Sequence, residues 1–233
     1  MERPPILLIH GFGADGTMWD ATGWTGALDE AGLTYTRHDL PGHGAAAKPH
    51  EPEAYETPQL VAGLLAALGD EPADIIGYSL GAELGLELAL AHPDRVRRLV
   101  FGGIGTRKPF VEADTQALWE AAAAGEDPPR SGAWEVWSRV CANPGSDPVA
   151  LAAMMAGVGR GDRLADPSQF AGPALLFAGT EDPVAAGADE LAASMPDCEL
   201  LWLDGRHHLN ALPARAAKQA AVELLSRPAT LQA

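Results

Sequence analysis

The chain is poor in cysteine, in basic residues and in long apolar runs. Its two cysteines, Cys141 and Cys198, lie far apart and fit no metal or redox spacing, so the sequence predicts reduced, mostly buried thiols. Lysine and arginine together number 16 against 32 acidic residues, a formal net charge of -16. Nucleic acids and anionic membranes bind clustered cations that displace counterions, and that balance speaks against both as partners. The acidity reads as a solvated surface and names no substrate. No apolar run approaches a membrane span. The start, "MERPP", is followed by only four apolar residues before His10 and Gly11, far short of a signal sequence. These absences predict a cytoplasmic protein. No histidine pair has metal-ligand spacing with a carboxylate, so neither a metal nor another cofactor is expected.

What is present suffices for a folded core. The chain has 233 residues, 47% of them hydrophobic, a length at which α/β folds commonly stay undivided. Four runs are apolar throughout instead of alternating: "PILLIH", "ADIIGY", "RLVFGG" and "PALLFAG". Such runs suit strands buried on both faces, in a parallel sheet covered by helices. A fifth, "LTYTRHDL", carries Arg37 and His38 and belongs at a sheet edge, where charge discourages pairing with another chain. A sixth, "CELLWLD", precedes a C-terminal helix near residues 210 to 226. Between the strands, residues 17 to 31 read as one helix behind Thr17 as N-cap, with Met18, Trp19, Ala27, Leu28 and Ala31 on one spacing. Residues 58 to 68 repeat the pattern with Leu60, Leu64, Leu65 and Leu68. The class is α/β, with about six strands.

From about residue 105 to 168 this rhythm stops. Helical stretches near 112 to 124, 132 to 141 and 147 to 158 are separated by "GEDPPRSG" and "ANPGSDP", both turn-forming. The segment reads as a helical insertion. Its Trp119, Trp134, Trp137, Met154 and Met155 either line a pocket or pack the insertion onto the core.

Ser79 stands in "GYSLG", between a buried strand and a helix. That context fits a nucleophile elbow, in which a tight, strained turn lifts the serine oxygen above the sheet. Glycines two residues to either side, Gly77 and Gly81, relieve the crowding. Strain of about 1 to 3 kcal/mol is hard to justify for a structural serine, whereas the following helix N-terminus favours an anion beside it. The alternative is a serine that merely caps its helix. A serine nucleophile needs a base, and the base an orienting carboxylate. Candidates follow the last two strands: Glu181 or Asp182 in "TEDP", and His207 or His208 in "GRHHLNA". Asp182 precedes Pro183, which holds it extended.

With these motifs in order, the sequence resembles the α/β-hydrolase superfamily over nearly its whole length. "IHGFG" resembles the oxyanion loop, "DLPGHG" the loop after the next strand, "GYSLG" the elbow, "AHPDRVRRLVFGG" the link to the following strand and "GTEDP" the acid turn. The resemblance implies a core of residues 1–104 and 169–233, a helical cap at 105–168, and Ser79, Asp182 and His208 as catalytic triad. His208 is selected over His207 by the family's Gly-x-x-His turn, matched by Gly205 to His208. It further implies backbone N–H groups of Phe12 and Leu80 as the oxyanion hole. His10 then supports that loop, His43 and His92 are structural, and His38 and His50 lie on the surface. Only "MERP" precedes the first buried strand, so the usual N-terminal strand pair is expected to be lacking and the sheet to be wholly parallel. In chain order its strands would run 2-1-3-4-5-6.

The implied activity is a serine hydrolase acting on a small or medium, mostly apolar carboxylic ester, as a monomer or homodimer with a small-molecule substrate. A lyase or a carbon-carbon bond hydrolase shares the framework, although the menaquinone-pathway lyases of the superfamily carry an arginine just after the elbow where this chain has Ala82 and Glu83. A non-catalytic small-molecule receptor on the same scaffold is the alternative of a different class.

Overall fold

The computed structural model describes residues 5–107, 110, 114–160 and 166–227. Its centre is one sheet of β1 (Ile6–Ile9), β2 (Tyr35–His38), β3 (Ala73–Tyr78), β4 (Val96–Gly102), β5 (Ala174–Gly179) and β6 (Cys198–Leu203). The order is β2-β1-β3-β4-β5-β6 and every pairing is parallel. Every residue of β1, β3 and β5 is buried. Ile6 and Leu8 join the core on one face of the sheet while Leu7 and Ile9 join the core on the other. Alternate residues of a strand point to opposite faces, so two covered faces demand an unbroken apolar run. The half-exposed strands are the edges, β2 with Arg37 and β6.

The helices are α1 (Met18–Ala21), α2 (Trp24–Glu30), α3 (Thr57–Leu68), α4 (Leu80–Ala91), α5 (Thr115–Ala124), α6 (Gly132–Cys141), α7 (Pro148–Gly159), α8 (Ala188–Ala193), α9 (His208–Ala211) and α10 (Arg215–Ser226). Residues of α1, α2 and α10 share one core with Ile76, Val100 and Phe177, whereas α3, α4 and α8 share the other with Ile75, Leu99 and Leu176. The chain leaves β1 outward to β2 and returns to β3 on the opposite side of β1. That reversal opens a crevice beyond the carboxyl ends of β1 and β3, where folds of this kind bind ligands.

Two helices depart from the sequence expectation. The helix expected over 17 to 31 is broken at Gly23, which adopts a φ of 74°, and Thr17 does not cap it. The Thr17 hydroxyl donates instead to Asp15 Oδ1 at 2.5 Å. The cause is Trp19 and Trp24, both fully buried. Five residues apart, they would face about 140° apart on a straight helix. The break turns both inward, their rings meet edge to face at 5.7 Å, and Trp24 Nε1–H donates to the Leu212 carbonyl at 2.9 Å. At the C-terminus, the stretch expected as one helix over 210 to 226 divides into α9 and α10 around Pro213, which has no N–H to offer a helix.

Residues 112 and 113 of the first expected insertion helix lie outside the described residues; from Thr115 onward all three helices match. The packing alternative holds for the methionines: α7 is buried all round, with Met154 in a main core and Met155 in a smaller cluster with Leu118 and Ala133. The tryptophans are half-buried staples. Trp119 Nε1–H donates to the His50 carbonyl and Trp137 Nε1–H to that of Pro148, each at 2.8 Å, while the Arg130 guanidinium lies 3.8 Å over Trp134. The thiols, expected mostly buried, are half-buried; both are free, and burial raises each to about 11. Among the described residues no helix is long and apolar enough to cross a membrane.

At the opposite end of the sheet from that crevice, Asp74 of β3 faces Arg98 of β4, with Oδ2 and the guanidinium 3.4 Å apart and both side chains nearly inaccessible. Arg98 also donates to the carbonyls of Leu225 and Arg227, tying the chain end to the sheet. Burial raises the Asp74 carboxyl to about 6 against the opposing pull of Arg97 and Arg98. The folded value lies above the unfolded one, so this group's contribution to stability is full below about pH 4 and is lost as pH rises through about 6. Asp74→Asn is therefore expected to gain stability relative to the wild type by on the order of 2 kcal/mol between about pH 4 and 7. Urea denaturation at each pH measures it, and a pH-independent offset between the two proteins would contradict the assignment.

Candidate active site

β3 runs straight into α4 with one residue between them. Ser79 takes φ 53° and ψ -121°, and only Phe110 shares a positive φ among the described non-glycine residues. The corner is pinned by the Ser79 N–H, which donates to the Gly102 carbonyl at 2.8 Å, and by its carbonyl, which accepts from Ala82 and Glu83. The flanking glycines are required by contact. A Cβ on Gly77 would strike the Gly81 carbonyl, and one on Gly81 would strike the Ile9 carbonyl of β1. The second collision is with the neighbouring strand, which sequence spacing did not reveal.

The loops after β5 and β6 bring the other two groups over the corner. They are stitched together by Gly205 N–H to Thr180 Oγ1 and Glu181 N–H to the Arg206 carbonyl, both at 2.9 Å. The Asp182 side chain is wholly buried; its Oδ1 accepts from the Val184 N–H at 2.9 Å and its Oδ2 lies 2.8 Å from His208 Nδ1. His208 Nε2 lies 3.0 Å from Ser79 Oγ. A carboxylate can only accept, so Nδ1 carries the proton and the Nε2 lone pair faces the serine hydroxyl. The structure thus brings Ser79, His208 and Asp182 into one line of hydrogen bonds.

Neither competitor joins them. Glu181 is exposed. His207 is exposed and caps α9: its N–H donates to Asn210 Oδ1 at 2.7 Å and its Nδ1 accepts from the Leu209 N–H at 3.3 Å. Sequence reasoning missed Tyr78. Its phenol ring lies 5.3 Å from the His208 ring and 5.7 Å from that of Phe177, and its O–H donates to the His208 carbonyl. Burial pushes its hydroxyl far above the ordinary phenol range, so it stays a donor. The signal available was a polar-tipped residue closing an otherwise apolar strand.

The loop after β1 borders the serine. A Cβ on Gly11 would lie 3.2 Å from both Ser79 Cβ and the Tyr78 carbonyl. His10 is fully buried, with Nδ1 on the Gly11 carbonyl at 2.8 Å and Nε2 accepting from the Leu40 N–H at 3.0 Å, and burial lowers its pKa. Neither the Phe12 N–H nor the Leu80 N–H has a hydrogen-bond partner among the described residues. The Phe12 ring meets Phe110 edge to face at 5.3 Å beside the insertion's cluster. Of the other histidines, His38 and His92 are half-buried, whereas His50 is exposed but paired with Asp147 at 3.0 Å. Among the described residues no cluster of three metal-ligating side chains occurs.

Comparison with known proteins bears on the family and the fold. A family model described as alpha/beta hydrolase fold matches residues 4–135. The chain belongs to the α/β-hydrolase family. It is similar to the 2-hydroxymuconate semialdehyde hydrolase of Pseudomonas sp. (strain CF600), 36% identical over 123 residues that cover 49% of this chain and 41% of that one. It is also similar to the pimeloyl-(acyl-carrier protein) methyl ester esterase of Neisseria meningitidis serogroup C, 42% identical over 98 residues, or 40% and 34% of the two chains. The match thus spans well under half the length of these relatives. Solved structures match more completely. An enol-lactonase from Burkholderia xenovorans LB400 superposes with a TM-score of 0.73 at 26% identity over 97% of this α/β-hydrolase and 93% of its own chain. A hydrolase from Pseudomonas aeruginosa PA01 gives 0.74 at 27% identity, covering 97% and 91%.

The strained serine yields a stability test. Glycine tolerates positive φ, whereas alanine keeps the Cβ penalty. Ser79→Gly is expected to be more stable than Ser79→Ala by about 1 kcal/mol, the reverse of the usual order. Chemical denaturation of the two variants measures this, and an alanine variant at least as stable would show that the corner holds no strain.

Proposed function

We propose that this α/β-hydrolase is a serine hydrolase that cleaves a small or medium, mostly apolar carboxylic ester through an acyl-enzyme. The observation that carries the reading is the unbroken line from Ser79 Oγ to His208 Nε2 at 3.0 Å and from His208 Nδ1 to Asp182 Oδ2 at 2.8 Å. Ser79 attacks the ester carbonyl as His208 takes its proton, and the imidazolium then protonates the departing alcohol. Water, deprotonated by the same histidine, attacks the acyl-enzyme and frees the acid. Asp182 holds the imidazole in the tautomer that presents Nε2 to the serine and stabilises its positive charge. The N–H groups of Phe12 and Leu80 receive the charge of the tetrahedral intermediate, the second at the start of α4 where the helix dipole favours an anion. The α5–α7 segment serves as a cap, with Phe12, Phe110 and the neighbouring tryptophans supplying an apolar wall. Relatives named as a methyl ester esterase and an enol-lactonase support ester chemistry.

One observation favours a second reading. The 36%-identical semialdehyde hydrolase suggests carbon-carbon bond hydrolysis, which can use the same three side chains. Steady-state assays with p-nitrophenyl esters of increasing acyl length, set beside 2-hydroxymuconate semialdehyde, separate the two. Esters should turn over with higher kcat/KM; a preference for the semialdehyde would replace the ester reading.

Ser79→Ala and His208→Ala are each expected to lower kcat by at least about ten-thousandfold, and Asp182→Asn by a similar factor through the wrong tautomer. His207→Ala should stay within about tenfold of the wild type, since removing a cap costs about 1 kcal/mol of local order. A fluorophosphonate should label Ser79 in the wild type. Absence of labelling together with tight binding of an unmodified small molecule would point to a receptor.

A further inference from the structure

We propose that His43 and Asn143 are positioning residues which clamp Gly13 from opposite sides and thereby hold the Phe12 N–H in its oxyanion-binding orientation. The inference rests on the serine-hydrolase reading and concerns what keeps that site in shape.

Residues 11 to 14 form a turn closed by the Ala14 N–H on the Gly11 carbonyl at 3.2 Å, with Gly13 in the third position at φ 76°. A positive φ there defines a type II turn, and types I and II differ by a flip of the central peptide, here Phe12–Gly13. Glycine tolerates that conformation but does not select it, so something outside the turn must hold the peptide. His43 does so from the loop after β2. Its Nε2 accepts from the Gly13 N–H at 2.9 Å, while its Nδ1 is satisfied by the Pro41 carbonyl at 3.1 Å, which fixes the proton on Nδ1. The ring is 4% exposed and stands edge-on to His10 at 5.1 Å and to Phe12 at 5.6 Å. Burial lowers its pKa to about 4, which keeps Nε2 an acceptor at neutral pH.

The second hold comes from the insertion. Asn143, in the turn between α6 and α7, donates from Nδ2 to the Gly13 carbonyl at 3.1 Å. Val140, near the end of α6, fills the space a Gly13 side chain would need. The donor, the acceptor and the bare α-carbon of one glycine are thus each engaged, two of them by the segment that covers the site. With the Gly13 N–H released, the central peptide is free to flip and the turn loosens; the bond that closes the turn is to the Gly11 carbonyl, which shares a peptide plane with the Phe12 N–H, so that N–H loses its fixed direction. Seating of the α6–α7 turn and formation of the oxyanion site become one event.

The test uses the full chain and p-nitrophenyl butyrate. His43→Leu keeps an apolar side chain of similar bulk but no acceptor, and is expected to lower kcat by about 10- to 100-fold while KM shifts by less than about threefold. His43→Gln places an amide oxygen near the former Nε2 and should recover kcat to within about fivefold of the wild type. Asn143→Ala, at an exposed position that tolerates truncation, should lower kcat by about three- to tenfold. The double variant should lose less than the product of the single losses, because both side chains hold the same residue, Gly13. Raised KM at unchanged kcat, or a glutamine variant no better than leucine alongside a fully active Asn143→Ala, would overturn the clamp while leaving the hydrolase reading intact. A wild type inert toward every ester and unlabelled by a fluorophosphonate would remove that reading and the clamp together.

Discussion

The site depends on how closely α4 is forced onto β1 and β3. Gly77 and Gly81 have no room for a side chain, because carbonyl oxygens of the elbow itself and of β1 occupy that space. With the first turn of the helix this close, the chain passes from strand to helix within one residue, and that residue takes a left-handed φ. The side chain then projects above the carboxyl edge of the sheet, beside an N–H group left by the start of the helix. Strain at Ser79 is borne by the pairing of β3 between β1 and β4, including the bond from the Ser79 N–H to the Gly102 carbonyl. Removing the close approach would remove the exposed oxygen as well.

The histidine is held by more than its carboxylate. His208 opens a short helix capped by His207 and is fastened below by the Tyr78 hydroxyl on its own carbonyl. Asp182 has one oxygen occupied by the Val184 N–H, so the other is directed at the imidazole. These neighbours leave the imidazole and the carboxylate one orientation each, the kind of preorganisation that the proposed chemistry needs.

The α5–α7 segment is integrated with the core. α7 is buried along its length, and Trp119 reaches the His50 carbonyl while Arg160 pairs with Glu53. Two of the three tryptophans that a sequence reading offers as pocket lining, Trp119 and Trp137, spend their polar edges on main-chain carbonyls. Toward the loop after β1, Phe110, ahead of α5, sets its ring against Phe12, and Asn143, between α6 and α7, places its amide on Gly13. Packing of the segment and geometry of the loop after β1 are for that reason hard to separate.

The fold was legible in the sequence because continuous apolar runs have one solution, a strand covered on both faces. Arg37 marked the edge as clearly as Ile75 and Ile76 marked the centre. Ser79 was legible for a similar reason: two glycines at fixed distance from a serine state a steric requirement. Where two candidates stood side by side, Pro183 and the family resemblance favoured Asp182, and the resemblance alone favoured His208. Asp182 and Glu181, or His208 and His207, differ in which way a loop of the tertiary structure faces, and no local preference records that. The break at Gly23 followed from two tryptophans needing the same core, and the roles of Tyr78, His43 and Asn143 from contacts spanning some 30 to 130 residues of chain. Sequence determined which segments must be buried and where the backbone must bend. Only the packed sheet decided which polar atoms meet, because hydrogen bonds between distant loops depend on distances that the chain acquires on folding.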